Sequence, residues 1–114
     1  MKINELKINQ KKINLVVKVL SKSESRKVVS RLDSVEHNVC EALIGDETGT
    51  VLITLWDETI DKLEIGKVYN FDNLFTSEFK RSLRLNIGRF GIFQIIDKDI
   101  EVNTTNEMSP KVEL

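Results

Sequence analysis

Apolar residues occupy Ile13 to Leu20 almost without a break, interrupted by Asn14 and Lys18. That length predicts a first strand. Val39 to Ile44 predicts a second, and Asp46-Glu47-Thr48-Gly49 places Asp and Gly where a tight turn takes them. Thr50 to Trp56 then alternates strictly. Val51, Ile53 and Leu55 point to one face; Leu52, Thr54 and Trp56 point to the other. Residues 39–56 therefore read as a β-hairpin. Beyond it, Asp57 is placed to cap a short helix, Ile60 and Leu63 share one face, and Gly66 ends it. A fourth strand is expected from Lys67 to Asn73. A fifth runs from Ser82 to Arg89, with Leu83, Leu85 and Ile87 inward and Ser82, Arg84 and Asn86 outward. Gly88 and Gly91 flank Phe90 and suggest a bend, after which Ile92 to Ile96 completes or extends the strand. Periodicity stops at Asp97.

Three strands, a short helix and two more strands make an all-β fold of five to six strands. Closure into a small barrel removes unpaired strand edges. A short helix between strands 3 and 4 is the order of the OB-fold; an SH3-like barrel is the rival and usually lacks a helix there. Composition agrees: there are 12 Ile and 11 Val but a single Ala, Ala42, and β-branched residues suit pleated sheets while Ala favours helices. The 114 residues amount to one domain. Residues 1–96 read as the OB-fold domain and 97–114 as a short acidic, flexible C-terminal tail, with five acids, two lysines and Pro110.

Charge and residue counts narrow the chemistry. The net charge of −1 excludes a strongly basic nucleic-acid coat but not a local basic face. One histidine and one cysteine cannot build a His/Cys zinc site, and no cofactor is expected. The lone Cys40 suits a reducing compartment. No apolar run reaches the length of a membrane span. No phosphate loop, nucleophile with a base, or metal-ligand spacing is present, so an enzyme is not expected. Asp46 and Glu47 are explained by the turn, and His37 and Cys40 read as structural.

What remains is aromatic and basic. Trp56 lies on the face opposite Val51, Ile53 and Leu55. Phe75 and Phe79 fall on the connection before the last strand, where a second apolar core is not expected. Simple alternation from Tyr69 and Phe71 aims Phe75 inward unless a bulge near Asn73 breaks the register. Phe71, Phe90 and Phe93 read as core. Residues 80–89 hold Lys80, Arg81, Arg84 and Arg89 and no acid; residues 18–31 hold Lys18, Lys22, Arg26, Lys27 and Arg31 against Glu24. Unpaired bases expose flat π-faces that stack on Trp and Phe, while cations track the phosphates. OB-folds bind on strands 2–3 and the flanking loops, where these residues fall. Trp56, Phe75 and Phe79 are the expected stacking residues. Arg26, Lys27, Arg31, Lys80, Arg81, Ser82 and Arg84 are the expected phosphate and polar contacts. RNA binding and a protein-interaction subunit that uses the same groove are the alternatives.

The stretch from Glu41 to Gly49, followed by Leu52-Ile53-Thr54-Leu55-Trp56 and later by Phe79 to Gly88, resembles archaeal single-stranded DNA-binding proteins with one OB-fold. These are related to replication protein A and to the binding subunit of the human complex that senses single-stranded DNA. The resemblance covers about residues 6–96. It implies a non-enzymatic, cytoplasmic and nucleoid-associated protein, a monomer in isolation. Such a protein binds and protects single-stranded DNA in replication, recombination and repair, and meets replication and repair proteins there. It also implies stacking at Trp56, Phe75 and Phe79, the second often Trp in relatives. Lys80, Arg84 and Arg26 match basic or polar contacts.

Overall fold

Burial follows the alternation where the alternation is strict. Val51, Ile53 and Leu55 are buried, as are Ile13, Leu15, Val17 and Val19, while Trp56 is exposed. The structure is a computed structural model that describes residues 1–110. It has six strands: β1 (Ile13–Lys22), β2 (Arg26–Val29), β3 (Glu36–Asp46), β4 (Gly49–Trp56), β5 (Val68–Phe79) and β6 (Ser82–Ile96). One turn of helix, α1 (Thr59–Lys62), joins β4 to β5. The strand order is β1-β5-β6-β4-β3-β2, and a further β1–β3 pairing closes five strands into a ring. β1 makes the closure possible. Its first part pairs with β5, and its last part turns onto β3 after a register shift between Val19 and Ser21. β4 and β6 run parallel. The ring is the expected OB-fold.

The core draws inward residues from every strand of the ring. Cys40, Ala42 and Ile44 of β3 meet Val51, Ile53 and Leu55 of β4, with Phe71 and Leu74 of β5 and Leu83 and Leu85 of β6. Phe93 packs edgewise on Tyr69 and tilted on Phe71 at 5.5 Å. Leu63, just after α1, is fully buried. Lys22 Nζ donates to the carbonyls of Ile60 and Leu63, both at 2.9 Å, and so satisfies carbonyls that a one-turn helix leaves open. Lys22 therefore serves the fold rather than a basic surface.

Four expectations need correction. Arg26–Val29 is a strand, not a loop; it adds to the free edge of β3 from Arg26↔Val39 to Val29↔Glu36. With four residues and no alternation of burial, it depends on a partner for its shape. β5 does not stop at Asn73. A bulge there, with Asn73 at φ 63°, flips the parity, so Leu74 and Thr76 are buried and Phe75 faces outward. Asp57 does not cap α1; Glu58 stands at the N-cap, with no side-chain cap bond. The Asp57 carboxylate instead accepts the Asn38 N–H at 2.9 Å. Phe90 is not core: it is 74% exposed.

Residues beyond Asp97 lie against the barrel. Asn103 N–H donates to Asp46 O, Thr50 N–H to Asn106 O and Met108 N–H to Thr50 O. Buried Ser109 accepts the Leu52 N–H at its hydroxyl and the Leu83 N–H at its carbonyl, so it spans β4 and β6. A Cβ on Gly49 would lie 2.6 Å from Asn106 O, which is why this turn takes glycine. Such docking is made by backbone and small polar groups, which leave no hydrophobic period to read. Residues 111–114 of the expected tail lie outside the described residues.

Candidate nucleic-acid interface

The outer face of the ring holds a groove of about 710 Å³. Strand pairing builds it. Glu41 on β3 lies beside Thr54 on β4, Thr54 beside Asn86 on β6, and Asn86 beside Phe75 on β5. These positions all point away from the core, because β3 buries Cys40, Ala42 and Ile44 and β6 buries Leu83 and Leu85. Trp56 and Phe79 both line the groove and are 46% and 44% exposed. Phe75 is 37% exposed and lines a neighbouring cavity of about 310 Å³. Its ring lies over Gly88, where a Cβ would be 3.3 Å away.

The cations divide into paired and unpaired sets. Arg26 donates two hydrogen bonds to Glu41, at 3.1 and 3.2 Å. Arg84 Nη1 sits 3.0 Å from the same carboxylate, in an orientation that leaves this nitrogen without a hydrogen bond. Glu41 is thus bracketed by two guanidinium groups. Hydrogen bonding to Arg26, reinforced by charge from Arg84, holds its carboxyl below the usual glutamate range. Lys27 pairs with Glu36 at 3.3 Å. Arg31, Lys80 and Arg81 are exposed and form no ion pair among the described residues. Ser82 accepts a hydrogen bond from Arg84 Nε at 3.0 Å. Arg84 and Lys80 also lie over the Phe79 ring, at 5.5 and 5.4 Å.

Two other features frame the groove. Phe79↔Ser82 closes the β5–β6 hairpin, so Lys80 and Arg81 form its two-residue tip. Both have positive φ, 50° and 64°, as a type I′ turn requires. Side chains that avoid this conformation are held at the hairpin tip. At the other end, His37 Nδ1 lies 2.7 Å from Asp57 and Nε2 lies 3.3 Å from Asp33. Hydrogen bonding to these carboxylates, Asp57 first, raises the His37 pKa. The imidazole meets Trp56 edge-on, with centroids 6.1 Å apart.

A family model described as "Single-stranded DNA binding protein Ssb-like, OB fold" matches residues 6–95. The chain belongs to this family. It is a family of binding proteins, not enzymes. Among relatives, the single-stranded DNA binding protein Ssb of Saccharolobus solfataricus is 36% identical over 87 residues, covering 76% of this chain and 57% of that protein. A hypothetical Arabidopsis thaliana protein solved in solution superimposes with a TM-score of 0.80 at 27% identity, covering 99% of this chain and 83% of that one. A replication protein A heterotrimer bound to single-stranded DNA shares the fold, with a TM-score of 0.71 at 15% identity over 91% of this chain and 27% of the matched one. The family member described here spans about half the length of the curated relatives it matches.

The structure brings Trp56, Phe79, Arg26 and Arg84 to one groove and sets Phe75 next to it. Lys80, Arg81 and Ser82 lie at the adjoining hairpin tip, while Lys27 and Arg31 sit toward the β2–β3 end. Sequence reasoning missed Glu41 as part of the groove and read His37 as structural, although both line it. Parity was the available signal for Glu41, since it alternates with buried Cys40 and Ala42. His37 gave no signal, because its carboxylate partner Asp57 is 20 residues away.

Proposed function

We propose that this chain binds single-stranded DNA and covers it during replication, recombination and repair. Bases stack on Trp56, Phe79 and Phe75, and phosphates meet Lys80, Arg81, Arg84 and Arg26. The observation that carries this reading is the groove itself: two exposed aromatics line one concave face, and two cations lie over the Phe79 ring. An aliphatic docking site would not need cations stacked on its rings, whereas a nucleotide presents a base and a phosphate together. A single barrel of this kind should cover about 4–5 nucleotides.

Titration with oligo-dT should quench Trp56 fluorescence. Trp56→Ala combined with Phe79→Ala should weaken binding by at least tenfold, since each stacked base contributes about 1–3 kcal/mol. Binding as tight as the parent's would refute stacking. About four phosphate contacts give a slope of log affinity against log salt near −3; a slope near zero would remove the phosphate roles. Running the same titration with oligo-rU tests the sugar preference, because stacking alone does not sense the 2′-hydroxyl.

A further inference from the structure

In the middle of β6 the ladder is interrupted in an unusual way. Asp72 pairs with Ile92 and Leu74 with Ile87, so the single residue Asn73 on β5 faces the four residues 88–91 on β6. The surplus forms a projection with Arg89 and Phe90 at its crest. Gly91 makes it possible: a Cβ there would lie 2.7 Å from Ile87 Cγ2 and 3.1 Å from Gly88 N. Asn73 Nδ2 braces the projection on the carbonyl of Phe90 at 3.4 Å. The side chain so raised is a phenylalanine, and it is the most exposed aromatic of those facing outward.

Its surroundings are basic. Phe90 and Arg89 share their cavity with Phe75, Lys11 and Lys12. No acid lines it, and none of these three cations forms an ion pair among the described residues. This contrasts with Arg26 and Arg84, which share Glu41. Arg89 lies over the Phe90 ring at 5.8 Å, as Lys80 and Arg84 lie over Phe79. Phe75 links the two regions, since it lines this cavity and pairs with Asn86 of the main groove.

We infer that the projection is a second single-strand subsite. A base leaving Phe75 stacks on Phe90, and its flanking phosphates are held by Arg89, Lys11 and Lys12. The inference rests on the single-strand reading of the main groove and lengthens its path. An exposed phenylalanine alone would suit any apolar partner. Three uncompensated cations around it, continuous with a groove of the same composition, favour a polyanion with flat apolar faces.

The test compares an oligo-dT of about five nucleotides, enough for the main groove, with one of about ten. Phe90→Ala should lower the ratio of long- to short-oligomer affinity by about fivefold or more. Lys11→Gln with Lys12→Gln should flatten the salt slope for the long oligomer by about 1.4. Trp56→Ala should weaken both oligomers and leave the ratio as it was. An unchanged ratio in Phe90→Ala, with parental thermal unfolding, overturns the subsite. So does an unchanged ratio accompanied by a fall in light-scattering mass, which would make Phe90 a protein contact. If Trp56→Ala binds both oligomers like the parent, it is the main-groove reading that fails instead.

Discussion

Glu41 should hold affinity down while holding the barrel together. Its carboxylate, 16% exposed, lies between Arg26 and Arg84 on the floor of the groove. A phosphate arriving there competes with it for both guanidinium groups. Glu41→Gln keeps the size and the hydrogen-bonding oxygen but removes the charge. Local charge over the three side chains rises by one, so one more cation is free to release counterions, and the salt slope should steepen by about 0.7. Affinity at low salt should rise severalfold. Stability should move the other way. The Arg26 pair is half-exposed and contributes about 0–1 kcal/mol. Arg84 is 14% exposed and would lose its counter-charge in a confined place, for a total cost of about 1–2 kcal/mol. The parent should also lose this stability as pH falls through the depressed folded pKa of Glu41, a loss the glutamine variant should not show. The assays are Trp56 fluorescence titrations at several salt concentrations and urea unfolding at two pH values. Weaker binding with the parental salt slope would refute competition and make Glu41 a positioner of the arginines.

Three further outcomes are expected. The His37 pKa is raised by Asp57 and Asp33, so the stability it contributes is complete below its unfolded pKa of about 6.5 and lost as pH rises through the folded value; His37→Ala should flatten that part of the urea-stability profile, and an identical profile would count against the cluster. Replacing Lys80 and Arg81 by Asn and Gly should stabilise the hairpin by about 1 kcal/mol, because both sit at positive φ, yet weaken oligo-dT binding; a loss of both stability and binding would contradict the turn assignment. Ser109→Ala leaves the Leu52 N–H without its acceptor and should cost about 1–3 kcal/mol in thermal or urea unfolding, whereas no change would show that residues beyond Asp97 do not brace the barrel.

Much of this fold is local and periodic, and so it was legible in the chain. The parity of Val51, Ile53 and Leu55 against Trp56 follows from the two-residue repeat of a strand. The hairpin over residues 39–56 and the outward aim of Arg84 and Asn86 come from the same rule, and the short helix from the i, i+3 spacing of Ile60 and Leu63 before Gly66. The groove's aromatics were likewise readable, since a large apolar side chain on the wrong face has no core to enter. Phe75 needed one more fact, the bulge at Asn73, because a single inserted residue reverses every side chain after it.

Tertiary structure decided the features that depend on residues far apart in the chain. β2 exists because β3 offers it an edge. Arg26 and Arg84 look like free cations in sequence, and folding places both against Glu41. Residues beyond Asp97 look aperiodic, yet their backbone finds donors and acceptors on β4 and β6. Phe90 looks like core between two glycines, and the mismatch of one residue against four lifts it into solvent. Periodicity reports which way a side chain points along its own strand, while pairing, charge neutralisation and bulges depend on what the closed barrel sets opposite it.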